Sequence, residues 1–594
     1  MASGTGPEQT FKGIAAAPGV SLGRVLIHVE NELYVPNYAV DSEDLEGEIK
    51  RFELALLETR HEISKIRHQV ADRLGEEEAQ IFDAHLLVLE DPALIDETIT
   101  ELENNLRNIE YCFQKTSQKY IDAFQRIDDE FIKERLNDIK DVTRRILYNL
   151  AGETLKSLES IDAEQIVVSH DFTPSDAAAI PAEYLKGFIT EAGSRTSHVV
   201  IMAKAASVPA VVGVHNILKT LQNGDEIIID GFEGVVILNP SEATLYQYGE
   251  SKKRRDTQEL EFLKLSGEPA ITKDGEQVII MSNIEGNNEI PRVLETGSDG
   301  IGLYRTEYLF LKTGSFPSEE SQFQAYKEVV KSMGDSAVIL RTYDLGGDKV
   351  LQRKDLVDKE DNPFLGCRAI RFSLLYTEVF KDQLRAMLRA SAYGNLKIMF
   401  PMVSGLEELH AANQLLDEVK KDLKASKVKF DESIEVGIMI EIPSAAFICD
   451  ILADHCDFFS IGTNDLMQYM LAVDRGNEQV AHLYEPCHPA LLRILKQIVE
   501  MSNAKNQPVS ICGELAGDPI FVPLLVGLGL RNLSVSPNFV PSLKFLVRKL
   551  SVEETQALAE EVMMMSDPDP IFARLKSFHD SKEYGIKGVT NRNR

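Results

Sequence analysis

The sequence has little positive charge and no long apolar run, and each shortage excludes a class of protein. Lys and Arg number 63 against 94 Asp and Glu, which leaves a net charge of −31 over 594 residues. This negative charge repels nucleic acid and anionic membranes, so we expect a basic protein partner and no nucleic-acid partner. The longest apolar run, at 521–530, is about half of a membrane span, so we expect no membrane insertion.

Cysteine is also scarce, and tryptophan is missing altogether, although the lack of tryptophan excludes nothing. The six cysteines are scattered and no two of them form a CxxC pair. This spacing predicts reduced thiols and a cytoplasmic protein. The first residues, MASGTGPEQTF, lack the basic segment and apolar segment of a signal peptide, which agrees with that prediction.

Glycine and proline are nearly missing between residues 41 and 158, where apolar residues recur at helical spacing. This segment predicts a helical bundle. Short β-rich runs broken by Gly, Pro, Asn or Asp lie on both sides, within 1–40 and 159–241. We interpret the two flanks as one discontinuous α/β domain into which the helical bundle is inserted.

From residue 268 onward, eight short apolar runs alternate with segments of helical length. Eight strands and eight helices over about 300 residues are typical of a TIM barrel. We predict a (β/α)8 barrel at 268–575, a helical linker at 242–267 and a polar tail at 576–594. The predicted fold class is therefore multidomain α/β.

Most of the eight runs end in polar or charged residues, and the carboxyl ends of barrel strands form the active face. We therefore expect these endings to converge on one site. They are Asn283, Arg305, Arg341 with Asp344, Glu441, Asn464 with Asp465, and Cys512 with Glu514.

Four arginines lie at these strand ends or in the loops that follow them: Arg305, Arg341, Arg368 and Arg475. Their convergence would be costly without an anion, and arginine binds both carboxylate and phosphate with paired hydrogen bonds. A small substrate carrying both groups fits this set. Taken alone, each arginine is better explained as a surface or salt-bridged residue.

Two carboxylates and one thiol complete the predicted barrel site. Glu441 and Asp465 follow adjacent predicted strands, and two carboxylates together with substrate oxygens are the usual ligands of Mg²⁺. Cys512 ends the seventh run, where its thiol is placed to donate a proton. A small buried apolar role explains Cys512 equally well.

The stretch GSRTSHVVIMAKA, 193–205, puts a histidine at the predicted start of a helix. The hydroxyls of Ser194, Thr196 and Ser197 supply capping groups, which leaves His198 in the first turn. A phosphate on its imidazole faces free backbone N–H groups and the positive end of the helix dipole, worth up to about 2 kcal/mol. The segment suits a phosphoryl group on nitrogen, although a capping or packing role explains His198 too.

Together these motifs resemble Enzyme I of the bacterial phosphoenolpyruvate:sugar phosphotransferase system over almost the whole chain. The family's phosphohistidine motif, G-G-x-T-S-H-x-A-I-x-A-R, matches 193–204 with three departures, Ser194, Val200 and Lys204. The barrel strings stand in family order: GIGLYRTEYLF, RTYDLGGDK, NPFLGCRAIR, FPMVS, IMIEIPSAA, IGTNDLMQYMLAVDR, CHPALLR and CGELAGD.

The resemblance implies an enzyme that moves the phosphoryl group of phosphoenolpyruvate to His198 and then to the phosphocarrier protein HPr, releasing pyruvate. Thr196 would orient the imidazole, Cys512 would protonate the enolate carbon, and Glu441 with Asp465 would bind Mg²⁺. A swivel at the linker would carry the histidine domain, and the barrel would form a homodimer. The implied ligands of the substrate are Arg305, Arg341, Arg368, Asn464 and Arg475.

The resemblance also places HPr on the inserted helical domain. Glu76, Glu77, Glu78 and Asp91 offer negative charge there beside the apolar Leu86 and Leu89, and complementary charge would speed the encounter. A solvated acidic face of a helical bundle explains the same residues.

Other functions stay open at this stage. A pyruvate phosphate dikinase would carry a long ATP-binding region before the histidine domain, whereas only residues 1–40 precede the helical insert. A regulatory phosphoprotein would signal through His198 without serving sugar import, and no residue excludes it. A non-catalytic scaffold would need broken site residues, and the predicted site is intact.

Overall fold

The computed structural model divides into two compact units, residues 1–253 and 254–594. His198, Thr196 and Arg475, together with 250–261 and 263 of the predicted linker, lie outside the described residues; the described start of the linker, 242–249, is helical. The described residues are 7–28, 33–73, 79, 81–125, 130–153, 163–173, 175–176, 180, 184–193, 200, 203, 208–249, 262, 264–313, 316–346, 362–474, 477 and 480–582.

The first unit contains a mixed sheet whose described strands run in the order β1-β8-β7-β3-β4-β5-β6-β2. Strands β3 to β6 are parallel, and the remaining pairings are antiparallel. The strands are Gln9–Lys12, Ile14–Ala17, Val20–Ile27, Gln165–Ser169, Leu185–Thr190, Ala210–Val212, Glu226–Asp230 and Val235–Leu238 for β1 to β8.

The helical bundle is inserted between two neighbouring strands of this sheet, as predicted. β3 pairs in parallel with β4, from Arg24 opposite Gln165 to Ile27 opposite Val168. One hydrophobic core joins bundle residues such as Phe52 to Val167 of β4. The described helices of the insert are Leu45–Arg73, Ile81–Leu89, Pro92–Asn105, Ile109–Gln125 and Glu130–Ala151.

The second unit is a closed parallel barrel, because β10 pairs in parallel with both β11 and β17. All eight predicted strands are confirmed, and the short β9 adds an antiparallel pair to β10. The strands are Ala270–Ile271, Gln277–Ile284, Ile301–Arg305, Val338–Arg341, Leu396–Phe400, Val436–Ile440, Phe459–Ile461, Val509–Ile511 and Asn532–Val535 for β9 to β17.

Helices surround the barrel, and a second apolar layer fills its interior. Strand residues alternate between the two: Leu340 packs outward against the helices, whereas Ile339 packs inward. The described helices are Ile290–Glu295, Glu307–Thr313, Glu319–Met333, Ile370–Leu375, Thr377–Ser391, Leu406–Ala425, Pro443–Phe447, Cys449–Leu452, Thr463–Leu471, Pro489–Lys505, Val522–Gly527, Val540–Lys549, Val552–Met563 and Pro568–Ser581.

The last helix corrects one predicted boundary. The polar tail was predicted to begin at 576, but the helix Pro568–Ser581 continues past that position. Leu575 and Phe578 are buried against the barrel's helical layer, so helical spacing of apolar residues persists beyond the predicted end. Across the described residues, every helix is too short or too polar to cross a membrane.

Candidate active site

Of the site residues predicted for the barrel, those that the structure describes lie at one rim. Arg305 and Arg341 are the last residues of β11 and β12 and are direct partners in the sheet. Glu441 follows β14, Asp465 lies in the first turn of the helix after β15, and Cys512 follows β16. Because the barrel strands are parallel, their carboxyl ends meet at the same rim.

Arg341 and Arg368 are joined by a shared carboxylate. Asp344 Oδ2 lies 3.1 Å from a terminal nitrogen of Arg341. Arg368 holds the same carboxylate with two bonds, 2.9 Å from Nε to Oδ1 and 3.1 Å from Nη2 to Oδ2. Arg341 also donates to Glu307, and all four side chains are buried. Burial of charge at this density is tolerated only because every member is paired.

The other face of Arg368 meets Asp465. Its Nη1 and Nη2 lie 3.2 Å and 3.1 Å from the two carboxylate oxygens of Asp465, and Nη1 also donates to the Tyr469 hydroxyl at 3.3 Å. Burial alone would lower the pKa of Arg368, but Asp344 and Asp465 raise it well above its ordinary value. Arg368 therefore stays charged and ties a predicted metal ligand to the arginine cluster.

These pairs correct the expectation that the arginines need an external anion. Arg305 too has a carboxylate partner, Glu285, with an N···O distance of 2.5 Å. Protein carboxylates already balance the three described arginines, so a substrate anion has to share or replace those partners. Sequence reasoning missed Glu285 and Glu307 as members of the site, because nothing in their local sequence separates them from surface acids.

Glu441 lies at the centre of this cluster and is fully buried. Its Oε1 accepts a hydrogen bond from the backbone N–H of Met402 at 2.6 Å. Burial, followed by the nearby charges of Asp465 and Asp344, raises the pKa of Glu441 to about 8. A side chain at Gly462 would lie 2.8 Å from Oε2, so the glycine leaves room for this carboxylate.

A divalent cation fits this arrangement chemically. Glu441 and Asp465 follow the paired strands β14 and β15, and a cation bound between them would relieve the mutual repulsion of their carboxylates. Within the described part of the chain, no group of three or more His, Cys, Asp or Glu side chains forms a metal site by itself. Mg²⁺ commonly takes one or two carboxylates and completes its shell with substrate oxygens and water, which suits these two residues.

Cys512 is buried at the same rim. Its backbone N–H donates to the Ile461 carbonyl at 3.0 Å, and its Sγ lies 3.5 Å from the same oxygen. Burial raises the pKa of the thiol to about 11, so it holds its proton at neutral pH. Nearby, Asn464 donates to Glu514 at 3.2 Å, so the predicted substrate ligand also has an acidic partner.

A buried amide behind Arg341 was not found from the sequence. Gln383 accepts from the backbone N–H of Tyr343 and donates to the hydroxyl of Thr306, both at 3.0 Å. Thr306 in turn donates to the Arg341 carbonyl at 2.7 Å. Gln383 lies within an amphipathic helix, where one glutamine gives no signal in the sequence.

The phosphohistidine segment is described only at its two ends. β5 ends at Thr190, and Gly193 has a φ of +106°, a conformation that favours glycine. Val200 and Ala203 are helical and fully buried. The segment therefore connects the carboxyl end of a central strand to a helix that packs in the core.

The predicted docking region of the helical insert is corrected at one apolar position. Leu89 is only 4% exposed and belongs to the core, whereas Leu87 is 67% exposed. Asp91 is exposed, and it also caps the helix Pro92–Asn105 by accepting from the N–H of Ala93 at 2.8 Å. Leu87 and the half-buried Leu86 are accessible for an apolar docking contact, whereas Leu89 is not. Glu76, Glu77 and Glu78 lie outside the described residues.

Three family models match consecutive parts of the chain. The N-terminal domain of PEP-utilising enzymes matches residues 12–135, their mobile domain matches 161–234, and their PEP-binding domain matches 260–552. A solution structure of an Enzyme I protein covers 41% of this chain and 99% of its own, at 35% identity and a TM-score of 0.36.

Curated relatives match over nearly the full length. Phosphoenolpyruvate-protein phosphotransferase of Listeria monocytogenes serovar 1/2a is 44% identical over 568 residues, covering 96% of this chain and 99% of the relative. The protein of the same name from Bacillus subtilis strain 168 is 42% identical with the same coverage. Identity at this level over both whole chains leaves no domain unmatched, and the chain belongs to the phosphoenolpyruvate-protein phosphotransferase family.

Proposed function

We propose that this enzyme transfers the phosphoryl group of phosphoenolpyruvate to His198 and then to HPr, releasing pyruvate as the first general step of sugar phosphotransfer. The observation that carries the proposal is the chain of ion pairs formed by Arg341, Asp344, Arg368 and the partly buried Asp465, at the rim that also holds Glu441 and Cys512. It combines fixed cations, oxygen ligands and a protonated thiol in one place.

The arginines would bind and orient the substrate. Phosphoryl transfer depends on positioning and charge neutralisation more than on covalent work by the protein. Arg341 and Arg368 are held rigid by buried carboxylates, whereas Arg305 is 43% exposed in its side chain and is open to a substrate phosphate or carboxylate. Asn464 and Arg475 complete the proposed substrate ligands.

Mg²⁺, held by Glu441 and Asp465, would neutralise charge on the substrate oxygens when bound. The protein's own groups prepare that site, since Met402 fixes one oxygen of Glu441 and Arg368 fixes both oxygens of Asp465. His198 accepts the phosphoryl group, with Thr196 orienting its imidazole. The barrel and the histidine domain must meet for transfer and separate for delivery to HPr.

Cys512 would complete the reaction at carbon. Loss of the phosphoryl group leaves the enolate of pyruvate, and the Cys512 S–H proton forms the third C–H bond of the methyl group. The thiolate then recovers a proton from solvent. The raised pKa of the thiol suits a donor that must be protonated before each turnover.

HPr, a homodimer and a cytoplasmic location are proposed on the resemblance and on particular surface features. The exposed Leu87 of the insert offers an apolar contact in an acidic chain. On the barrel, Phe447 ends one short helix and Ile451 lies in the next, and both are exposed, which supports an interface between two copies there. The scattered cysteines support the cytoplasm.

The test is to incubate the purified protein with Mg²⁺ and either labelled phosphoenolpyruvate or γ-labelled ATP. We expect an acid-labile phosphate from phosphoenolpyruvate alone, and its transfer to added HPr. Label from ATP would favour a dikinase. Label that never leaves the protein would favour the regulatory phosphoprotein.

Glu441→Gln is expected to weaken Mg²⁺ binding in the presence of phosphoenolpyruvate by more than about tenfold, since loss of outer-shell partners alone commonly costs that much. The amide keeps the shape of the carboxylate and removes its charge. The Mg²⁺ dependence of autophosphorylation measures the effect. Glu435→Gln is the control, because Glu435 precedes the same strand and pairs with Lys397 at the opposite end. Equal behaviour of the two variants would place the metal elsewhere.

Cys512→Ala is expected to lower pyruvate formation by about 100-fold or more, as loss of a general acid does. The KM for phosphoenolpyruvate should change little, because the arginines are intact. Coupled detection of pyruvate measures the rate. Cys449→Ala serves as control, since Cys449 is buried in the helical layer outside the barrel. An unchanged rate in Cys512→Ala would make that cysteine a packing residue.

A further inference from the structure

Asn283 is a strand-end residue to which neither the sequence nor the proposed reaction gives a role. It lies near the end of β10, and its Nδ2 donates to two carbonyls, that of Cys512 at 2.9 Å and that of Ser534 at 3.0 Å. Its Oδ1 accepts from the Ser534 hydroxyl at 2.5 Å. Both amide hydrogens and the amide oxygen are therefore occupied, which fixes the orientation of the side chain.

The contact with Cys512 crosses a strand. The sheet neighbours of β10 are β11 and β17, whereas Cys512 follows β16. β16 and β17 themselves share one registered pair, Ile511 with Leu533. The side-chain amide of Asn283 therefore reaches across β17 and connects the end of β16 to β10 by a hydrogen bond, at a position where β16 and β17 are paired only briefly.

This tie holds the peptide group that follows the thiol. The Cys512 N–H is held by the Ile461 carbonyl, and the Cys512 carbonyl is held by Asn283. The next residue, Gly513, packs so closely on Thr463 that a side chain there would lie 1.7 Å from its hydroxyl. With the backbone fixed on both sides, the direction of the Cα–Cβ bond of Cys512 is fixed as well.

We propose that Asn283 is a positioning residue for the Cys512 thiol in the protonation of the enolate. The inference rests on the proposed function. In the step concerned, the S–H bond breaks, a C–H bond forms on the methylene carbon, the electron pair of the enolate supplies that bond, and solvent reprotonates the thiolate. A displacement of the proton donor by about 1 Å can cost on the order of 100-fold in rate, so loss of the hydrogen bond from Asn283 should slow the protonation.

The experiment compares Asn283→Ala, Asn283→Asp and Ser534→Ala in the full-length enzyme with Mg²⁺. Asn283→Asp keeps the size and the acceptor for Ser534 but removes the donor to Cys512, and it replaces the alanine variant if that fails to fold. Ser534→Ala leaves both amide donors in place and is the matched control. The readouts are kcat and KM for phosphoenolpyruvate, and the rate of deuterium exchange from D2O into the methyl group of pyruvate.

We expect both Asn283 variants to lose about 10- to 100-fold in kcat and in exchange, with KM unchanged and Ser534→Ala close to wild type. A raised KM with normal exchange would overturn the inference, as would an equal loss in Ser534→Ala. Cys512→Ala distinguishes failure of the proposed role of Cys512 from failure of the proposed role of Asn283. If that variant exchanges normally, the role of Cys512 is wrong and this inference falls with it; if it is inactive while Asn283→Asp is normal, the inference alone is wrong.

Discussion

His198→Ala is expected to incorporate no phosphate from phosphoenolpyruvate, while Mg²⁺ binding and folding of the barrel stay as in the wild type. The imidazole is the proposed acceptor, and alanine offers no nucleophile. Label incorporation at neutral pH, followed by acid treatment, measures the loss. Magnesium-dependent substrate binding, followed by calorimetry, shows that the barrel site survives.

His170→Ala is the matched control for that loss. His170 follows β4, the parallel neighbour of β5, and its side chain is 74% exposed beside Glu191. The variant therefore tests whether removal of another exposed histidine from the same domain also prevents incorporation of phosphate. An acid-labile phosphate retained in His198→Ala, or lost in His170→Ala alone, would move the acceptor away from His198.

Arg368→Leu is expected to produce the second large effect, a loss of stability together with loss of substrate binding. The variant leaves Asp344 and Asp465 facing each other without the cation that separates them. Removing one partner of a buried ion pair costs about 3 to 5 kcal/mol, and two carboxylates are affected here. Chemical denaturation followed through the barrel's transition measures the stability, and calorimetry measures phosphoenolpyruvate binding.

Arg371→Leu is the comparison for that variant. Arg371 lies three residues further on and meets Glu408 at 3.4 Å with its side chain 36% exposed. Exposed pairs of this kind contribute about 0 to 1 kcal/mol. If both variants unfold alike, the cluster at the rim is not the stabilising element inferred from its burial.

The barrel was predictable because each of its strands is a short apolar run with a helix-length segment behind it. Strand order follows chain order from β10 to β17, so no long-range pairing had to be guessed. In β12, Ile339 faces the barrel interior and Leu340 faces the helices, so the next inward-facing residue, at the end of the strand, lies at the rim. The position of Arg341 follows directly from that pattern.

The partners of the arginines were not predictable, since they come from different elements. Glu307 opens the helix after β11, Asp344 lies in the loop after β12, and Asp465 lies in the first turn of the helix after β15. Their convergence on Arg341 and Arg368 depends on loop conformation, which carries no periodic signal. The error at Leu89 has a different cause: on a helix two residues apart, Leu87 and Leu89 face different sides, so a small error in phase exchanges surface for core.

The insertion of the helical bundle between β3 and β4 has a consequence for how this chain can be changed. The bundle and one face of the sheet share a single core, in which Phe52 and Phe113 of the helices belong with Val167 and Phe188 of the strands. Removing the bundle would expose the apolar face of the sheet to water, and transferring the bundle to another protein would expose the apolar face of the bundle. We therefore expect the two parts to fold as one cooperative unit. If the carrier protein docks on the bundle as proposed, a change of its specificity has to come from substitutions on the bundle's outer surface instead of exchange of the bundle.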